Sequence, residues 1–264
     1  MTKFNKKILY IALLLVSHSV FAAENCEGDC INGDGTITLA NGNKLSGRFE
    51  NGKVQGKIKF VYSSGDQYIG EIKENRPDGN GEFTATNGDK YVGEFKMGKY
   101  EGQGVLTLAN GDQYTGEFKN GKYDGQGKSV TSAGDKYTGE YKEGIYEGHG
   151  IFIWNNGDKY EGEFKNGLYE GKGIFTFANG NRYTGDYKNN LRDGKGTFIY
   201  KTGDKYVGDF KNDKMEGKGT LSFANGNQYN GDFKNDYAEG QGVLSYANGK
   251  SFVGEFKNGE PVKN

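Results

Sequence analysis

The stretch Tyr160–Arg182, YEGEFKNGLYEGKGIFTFANGNR, decides the fold of this 264-residue chain. Its first half alternates Tyr, Gly and Phe with charged residues, so the rings and the glycine fall on one face of a β-strand. Its second half alternates in the same way through Gly171, Gly173 and Phe175. The Asn-Gly pair between the halves tolerates the positive φ angles of a tight turn. The stretch therefore predicts a β-hairpin with an apolar face and a charged face.

The same pattern recurs every 23 residues in an unbroken register from Leu45 to Phe252. The repeated positions that we expect to be structural are Tyr68, Gly70, Tyr91, Gly93, Phe95, Tyr114, Gly116, Phe118, Tyr137, Gly139, Tyr160, Gly162, Phe164, Tyr183, Gly185, Tyr206, Gly208, Phe210, Tyr229, Gly231 and Phe233. One hairpin is marginal in water, so each copy has to stack on its neighbours. The sequence therefore predicts an all-β fold, an elongated open antiparallel β-meander of tandem hairpin repeats, on the order of 100 Å along the stacking axis.

Glycine and aromatic residues have complementary roles in this prediction. A glycine leaves room on the sheet for a large ring to lie flat, and the ring supplies the burial that glycine lacks. The copy that carries Ser129 and Thr131, where others have Phe or Leu, predicts a loosely packed seam. The aspartates that recur in the second type of turn predict side chains bonded to their own backbone. These are Asp89, Asp112, Asp135 and Asp158.

The consensus Y-x-G-x-F-x-x-G-x-x-x-G-x-G, as in Tyr160–Gly173, resembles the MORN repeat (membrane occupation and recognition nexus) over residues 31–260. The resemblance implies an open antiparallel sheet that serves as a scaffold or a membrane-proximal module. MORN repeats in other proteins sometimes accompany a lipid kinase or a methyltransferase domain, and no residues are left over here to build one. Atypical copies at the ends, such as the one at Leu45, are expected to cap the stack.

The N-terminus predicts export. Lysines precede the short apolar run ILYIALLLV and the small residues before Ala23, which is the order of a secretory signal peptide in residues 1–22. Cys26 and Cys30 follow, and in an export compartment they favour a disulfide over a free or intermolecular pair. We therefore expect an exported bacterial type of repeat protein, periplasmic or secreted. Its domains are a signal peptide (1–22), an N-terminal cap with the Cys pair (23–44), tandem repeats (45–251) and a truncated C-terminal repeat (252–264).

Charge and motifs exclude several function classes. Cleavage removes three lysines and no acids, so the mature charge is 31 − 35 = −4, which gives no general attraction to nucleic acid. The Gly-x-Gly pairs match neither a phosphate loop nor a dinucleotide fingerprint, and we expect no cofactor. The calcium-like NGDGTIT lacks carboxylates at Cys30 and Asn41, so we expect no metal site. His149 is the single mature histidine and has no triad partners, and we expect no enzyme.

Binding or scaffolding remains as the function. Four tyrosines recur at the hairpin turns of successive copies and are the candidate binding residues: Tyr100, Tyr123, Tyr146 and Tyr169. They predict either an aromatic row that contacts a ligand or rings that pack against their own turns and stabilise them. We expect a non-catalytic envelope or secreted scaffold that binds a protein partner or forms a homodimer. The alternative is a peripheral phospholipid-binding or cell-wall glycan-binding module, close to a membrane surface.

Overall fold

A computed structural model of the chain describes residues 25–262, and the predicted signal peptide lies outside the described residues. The described residues form twenty-two β-strands and no α-helix. They divide into two compact units. The first unit runs up to Ala133 and includes Tyr141–Gly144, and the second unit consists of Gly134–Glu140 and the residues from Ile145 onward.

The first unit contains two short N-terminal strands followed by hairpins. Its strands are β1 (Cys26–Gly28), β2 (Asp34–Thr38), β3 (Lys44–Glu50), β4 (Lys53–Val61), β5 (Gln67–Lys73), β6 (Arg76–Thr84), β7 (Lys90–Lys96), β8 (Lys99–Thr107), β9 (Gln113–Lys119) and β10 (Lys122–Val130). Each strand pairs antiparallel with the next one along the chain. Strand β11 (Lys136–Lys142) contributes residues to both units.

The second unit repeats the same hairpin order. Its further strands are β12 (Ile145–Ile153), β13 (Lys159–Lys165), β14 (Leu168–Thr176), β15 (Arg182–Lys188), β16 (Leu191–Ile199), β17 (Lys205–Lys211), β18 (Lys214–Ser222), β19 (Gln228–Lys234), β20 (Tyr237–Ser245), β21 (Ser251–Lys257) and β22 (Glu260–Pro261). From β12 onward, each strand again pairs antiparallel with the next. The all-β hairpin meander predicted from the sequence is therefore confirmed.

The hairpin turns have the backbone that their residues predict. Asn166 and Gly167 have φ angles of 51° and 78°, and Asn212 and Asp213 have 47° and 70°. Two successive residues with positive φ form a turn whose twist matches that of the flanking strands. This geometry explains why Asn, Asp and Gly occupy most of these positions, although Glu74, Met97 and Glu143 adopt the same positive φ.

The register brings the repeated residues together on one face, which we call the inner face. Across β13 and β14, Gly162 faces Gly173, and Phe164 faces Tyr169. A β-bulge follows Gly162, so the first strand has seven residues and its partner nine. The charged side chains point to the opposite, outer face, because side chains alternate along a strand.

The predicted loose seam at Ser129 is wrong. Ser129 is buried, with 3% of its surface exposed, and Tyr141 donates a hydrogen bond to its hydroxyl oxygen at 2.8 Å. Tyr141 occupies a position where most copies have phenylalanine, and its additional hydroxyl reaches the smaller serine. Ser129 and Tyr141 both differ from the usual residues of the repeat, and together they retain a buried contact in the first unit.

Candidate functional site

Each full copy places one tyrosine ring flat over two facing glycines. A Cβ atom on Gly173 would lie 2.6 Å from the Tyr160 hydroxyl and 2.7 Å from ring atom Cε2. Tyr160 is fully buried and donates a hydrogen bond to the backbone carbonyl of Glu163 at 2.9 Å. The equivalent hydrogen bond forms in the other copies, from Tyr68, Tyr91, Tyr114, Tyr137, Tyr183, Tyr206 and Tyr229. The ring and the glycine pair together form the first aromatic layer of each copy.

The buried hydroxyls of this layer remain protonated at ordinary pH. Burial raises the pKa of Tyr160 well above its usual value of 10.0, and the nearby carboxylates of Glu163 and Glu170 raise it further. The hydroxyl therefore acts as a neutral hydrogen-bond donor to the backbone. This is a structural role, and it offers no nucleophile or base.

The four candidate binding tyrosines form a second layer on top of the first. Tyr100 stacks on Tyr91 with ring centroids 3.7 Å apart and an interplanar angle of 11°. The other stacked pairs are Tyr114–Tyr123, Tyr137–Tyr146 and Tyr160–Tyr169. Tyr100 and Tyr169 are buried, and Tyr123 and Tyr146 are half-buried. Of the two interpretations of these residues, rings that pack against and stabilise their own turns match the stacked geometry. A direct contact with a ligand stays a prediction.

The turns that connect one copy to the next are joined by side-chain links. Asp158 accepts a hydrogen bond from the backbone NH of Ala178, one copy further along, at 2.8 Å. The expectation that the repeated aspartates bond their own backbone is corrected, because the next turn stacks directly beside each carboxylate. The equivalent links are Asp66–Thr86, Asp89–Ala109, Asp112–Ser132, Asp135–Asn155, Asn181–Lys201, Asp204–Ala224 and Asn227–Ala247.

The hairpin turns at the other edge carry a second set of links. Glu170 accepts a hydrogen bond from the backbone NH of Asn189 in the next copy at 3.0 Å. A backbone bond from Asn190 to the carbonyl of Tyr169 accompanies it, also at 3.0 Å. Successive copies are therefore tied at both edges as well as by the strand ladder, which fixes their spacing.

The outer face exposes apolar side chains along its middle. We call this set the outer stripe: Ile69, Val92 and Val105 in the first unit, and Val207, Val243 and Val253 in the second. Val92 faces Val105 across β7 and β8, and each is about two-fifths exposed, at 43% and 41%. Polar residues such as Thr115 and Thr184 occupy the same repeat position in other copies.

Lysines line the hairpin edge of the outer face. The lysine row consists of Lys73, Lys96, Lys119 and Lys142 in the first unit and Lys165, Lys188, Lys211, Lys234 and Lys257 in the second, and all are exposed. Within residues 25–262, none of them forms an ion pair. Lysines nearer the middle are paired, as Lys195 with Asp209 at 2.5 Å. The lysine row thus offers free positive charge at regular intervals.

A further aromatic row, which the sequence reasoning missed, follows the connecting turns of the second unit. We call it the connector row: Trp154, Phe177, Tyr200, Phe223 and Tyr246. Each residue immediately follows the second strand of a copy, where the first unit has Leu39, Tyr62, Ala85, Leu108 and Thr131. The first four rings are half-buried and Tyr246 is exposed. The signal that predicts them is an aromatic residue three positions before the turn glycine in five successive copies.

The cysteine pair and His149 are the remaining candidates for chemistry in the sequence. A disulfide joins Cys26 and Cys30, whose Cα atoms lie 6.3 Å apart. His149 is exposed and faces Glu163 across β12 and β13. Among residues 25–262, no cluster of His, Cys, Asp and Glu could hold a metal ion. In the same range, no helix is long and apolar enough to cross a bilayer.

A family model described as MORN repeat matches most of the chain. It matches eight consecutive stretches, at residues 68–90, 91–113, 114–136, 137–159, 160–182, 183–205, 206–228 and 229–251. Together they span 184 of the 264 residues, and each begins at a first-layer tyrosine. Among curated proteins, no relative matches at a significant level.

Solved structures show only distant likeness. The SAS-4 (dCPAP) TCP domain of Drosophila melanogaster, in complex with a proline-rich motif of Ana2 (dSTIL), has 13% identity and a TM-score of 0.32, covering 93% of this chain and 100% of that one. The TCP10 domain of Danio rerio CPAP has 10% identity and a TM-score of 0.29, covering 83% and 93%. Virginiamycin B lyase of Staphylococcus aureus has 10% identity and a TM-score of 0.17, covering 83% of each chain. Scores this low carry no functional argument.

Proposed function

We propose that this chain, which belongs to the MORN-repeat family, is a non-catalytic scaffold of the cell envelope or the extracellular space that binds a protein partner or a second copy of itself. The outer stripe is the observation that carries the proposal. Exposed β-branched side chains that face each other across neighbouring strands, as Val92 and Val105 do, are suited to burial against another protein surface. The signal-like N-terminus agrees with a location in the envelope or outside the cell.

The packing of the repeats explains how such a surface is presented. The aromatic layers of the inner face and the links at both edges hold each hairpin, so the outer face needs little ordering on binding. A surface that is already ordered loses less conformational entropy when it binds. The outer stripe can therefore contribute its apolar area without first having to fold.

The test replaces two of the three outer-stripe residues of the first unit with residues that keep β-sheet propensity. In Val92→Thr/Val105→Thr, the β-branched shape remains while the apolar methyl contacts are reduced. Gln113→Thr, on the same face beside the stripe, is the matched control. Light scattering at several concentrations and capture of partners from envelope extract measure association. Loss of association in the double variant alone supports the proposal, and equal behaviour of the variant, the control and the wild type contradicts it.

Peripheral binding to anionic phospholipid is the second candidate, because the lysine row carries unpaired positive charge. Vesicle flotation separates it from the scaffold. Lys165→Gln/Lys188→Gln/Lys211→Gln removes three row lysines, and Lys172→Gln/Lys195→Gln/Lys218→Gln removes three ion-paired ones as a matched control. For a protein-binding scaffold we expect weak flotation that salt abolishes. Salt-resistant flotation of a monomer, lost only in the row variant, would favour the membrane function instead.

Export is tested separately. We expect the mature protein to begin near Ala23 and to carry the bridge between Cys26 and Cys30, because the signal pattern directly precedes the cysteine pair. The intact mass of the protein from an envelope fraction, before and after alkylation, measures both. A mass that retains residues 1–22, or two alkylated thiols without prior reduction, would contradict export.

A further inference from the structure

We propose that the connector row of the second unit binds an extended neutral polysaccharide, with one aromatic platform for each disaccharide of the bound chain. This site goes beyond the proposed protein-binding function. It lies on the inner face of the sheet, at the edge of the connecting turns, whereas the outer stripe lies on the opposite face. The two functions can therefore be tested independently.

Three rings of the connector row, Trp154, Phe177 and Tyr200, are held by a neighbouring ring and keep part of their surface open. The Trp154 ring lies 4.5 Å from the Phe152 ring and 5.4 Å from the Phe175 ring, measured between centroids. Phe177 packs on Phe175 at 4.5 Å. First-layer rings such as Tyr160 are fully buried, whereas Trp154 and Phe177 keep part of their surface open. A ring that its neighbours already fix loses little rotamer entropy when a ligand covers it.

The spacing of the row follows from the fold. Each copy contributes two strands, so equivalent rings recur about every 10 Å across the sheet. The hydrogen bond between Asp158 and Ala178, and its equivalents in later copies, keep neighbouring turns at this interval. In an extended β-1,4-linked glycan, alternate sugars present the same face, and the repeat is the length of a disaccharide. The interval of the row is close to that length.

Each ring of the row is followed, two residues later, by an exposed uncharged polar side chain. These side chains are Asn156, Asn179, Thr202, Asn225 and Asn248. The Oδ1 atom of Asn179 accepts the backbone NH of Asn181, which orients the amide and leaves its NH₂ group without a partner among the described residues, and Asn225 and Asn248 are oriented in the same way. Asn156 and Thr202 instead donate to the carboxylates of their own turns. A sugar combines an apolar C–H face with a rim of hydroxyls that both donate and accept. In the turns of Asn179, Asn225 and Asn248, a ring and an amide donor match both parts.

Competing ligands fit the observations less well. Bases of a single-stranded nucleic acid also stack on aromatic rows, but such binding needs a basic groove, and the mature charge is 31 − 35 = −4. A proline-rich segment is a further aromatic-binding ligand. The chain itself contains two prolines, so it cannot supply such a segment. A peptide of that kind from another protein is an outcome that the experiment distinguishes.

Trp154, the single tryptophan of the chain, reports binding directly. Its fluorescence is titrated in the full-length protein with cellobiose, cellotetraose and cellohexaose, with the matching chitin oligosaccharides, and with a proline-rich decapeptide. We expect a change in emission and an affinity that rises at least about tenfold from the disaccharide to the hexasaccharide, since a longer chain covers more platforms. No response to any glycan, or a response to the peptide alone, would overturn the proposal.

Variants at Phe177 show whether the ring is the contact. Phe177→Ala should weaken hexasaccharide binding at least about fivefold, while Phe177→Tyr, which keeps the ring, should bind like the wild type. Leu108→Ala changes the equivalent position of a copy in the first unit and should leave binding unchanged. Circular dichroism confirms that each variant is folded. If Phe177→Leu binds as tightly as the wild type, ring stacking is not the source of affinity and the proposal is wrong.

Discussion

Two copies of the second unit differ in one layer of their inner face. In Tyr160–Arg182, Tyr169 stacks on Tyr160, with ring centroids 3.7 Å apart. In the copy that starts at Tyr229, the stacking position holds Ala238. The first layer is nevertheless the same, because Tyr229 still donates to a backbone carbonyl and still covers its glycine pair. The ring over the glycines thus maintains the register, and the second ring adds to local stability without being required.

The intermediate copies show how the second layer can vary. Arg192 takes the stacking position over Tyr183, with its guanidinium carbon 5.6 Å from the ring centroid, and pairs with Asp213. Met215 takes it in the following copy and is buried. A cation over a ring face and a flexible thioether both pack favourably against aromatic surface. The position therefore accepts side chains of different size and chemistry, and those larger than Ala238 pack against the first ring.

The largest expected loss of stability comes from substitutions in the first layer, which both copies share. A branched side chain in Gly173→Val would collide with Tyr160, and we expect it to destabilise the protein by about 4 kcal/mol or more. Gly242→Val should cost a similar amount, because Tyr229 covers that glycine in the same way. Lys172→Ala is the exposed control, for which we expect less than about 0.5 kcal/mol. Urea unfolding followed by circular dichroism measures these differences. A tolerated Gly242→Val would show that the two first layers are not equivalent.

Substitutions in the second layer should change the stability by an intermediate amount, and the sign of the change should be opposite in the two copies. Tyr169→Ala removes a buried stacked ring, and we expect a loss of about 2–4 kcal/mol. Ala238→Tyr restores the stack over Tyr229 and should add about 1 kcal/mol. Hydrogen exchange of the amides in β13–β14 and β19–β20 measures the local change. Faster exchange in β19–β20 of Ala238→Tyr would contradict the role assigned to the layer.

Much of the fold follows from the sequence, because its determinants are local and repeat. Short-range rules of strand and turn chemistry predict the Asn166–Gly167 turn and the alternation of Tyr160 and Gly162. They also place Gly173 on the same face of its strand as the rings. The family resemblance agrees with the eight matched copies. Local patterns that recur in register carry more information than any single copy.

The site was less predictable, because its contacts depend on how strands and copies pack together. The carboxylate of Asp158 was expected to serve its own turn, and only the stacking of copies shows that it serves Ala178. The burial of Tyr100 depends on its ring lying over Tyr91 and could not be read from spacing alone. The connector row was missed because its members differ in type, from Trp154 to Tyr246, and follow strands that vary in their last residues.

The smallest expected change in stability comes from acid, which protonates the aspartates that link neighbouring connecting turns. The backbone NH of Thr86 is the main cause that lowers the pKa of Asp66 below its usual 3.8. The pKa of Asp112 is also lowered: burial acts to raise it, but the NH of Ser132 and the Asn110 side chain outweigh that effect. The stability from such links is present above the usual pKa and is lost as pH falls through the lowered value.

Asparagine provides the matched comparison, because Asn181 forms the same kind of link without a titrating group. Asp66→Asn/Asp112→Asn should therefore lose less stability than the wild type between pH 5 and pH 2, by less than about 1 kcal/mol because these half-buried groups are still screened by solvent. Thermal unfolding across this pH range measures the difference. An acid dependence that is unchanged in the double variant would show that these links do not contribute.

Deletion of one whole copy tests the central claim most directly, since stacked hairpins in fixed register should tolerate it. Removing Tyr160–Arg182 joins Lys159 to Tyr183 without changing the order of strands, and each copy depends mainly on its neighbours. Removing only residues 171–182 instead breaks the pairing of first and second strands. Thermal unfolding by circular dichroism, together with limited proteolysis, compares the two deletions. We predict a cooperative, protease-resistant protein after the first deletion and a locally unfolded, readily cleaved one after the second. Equal unfolding of both would contradict the repeat architecture described for the chain.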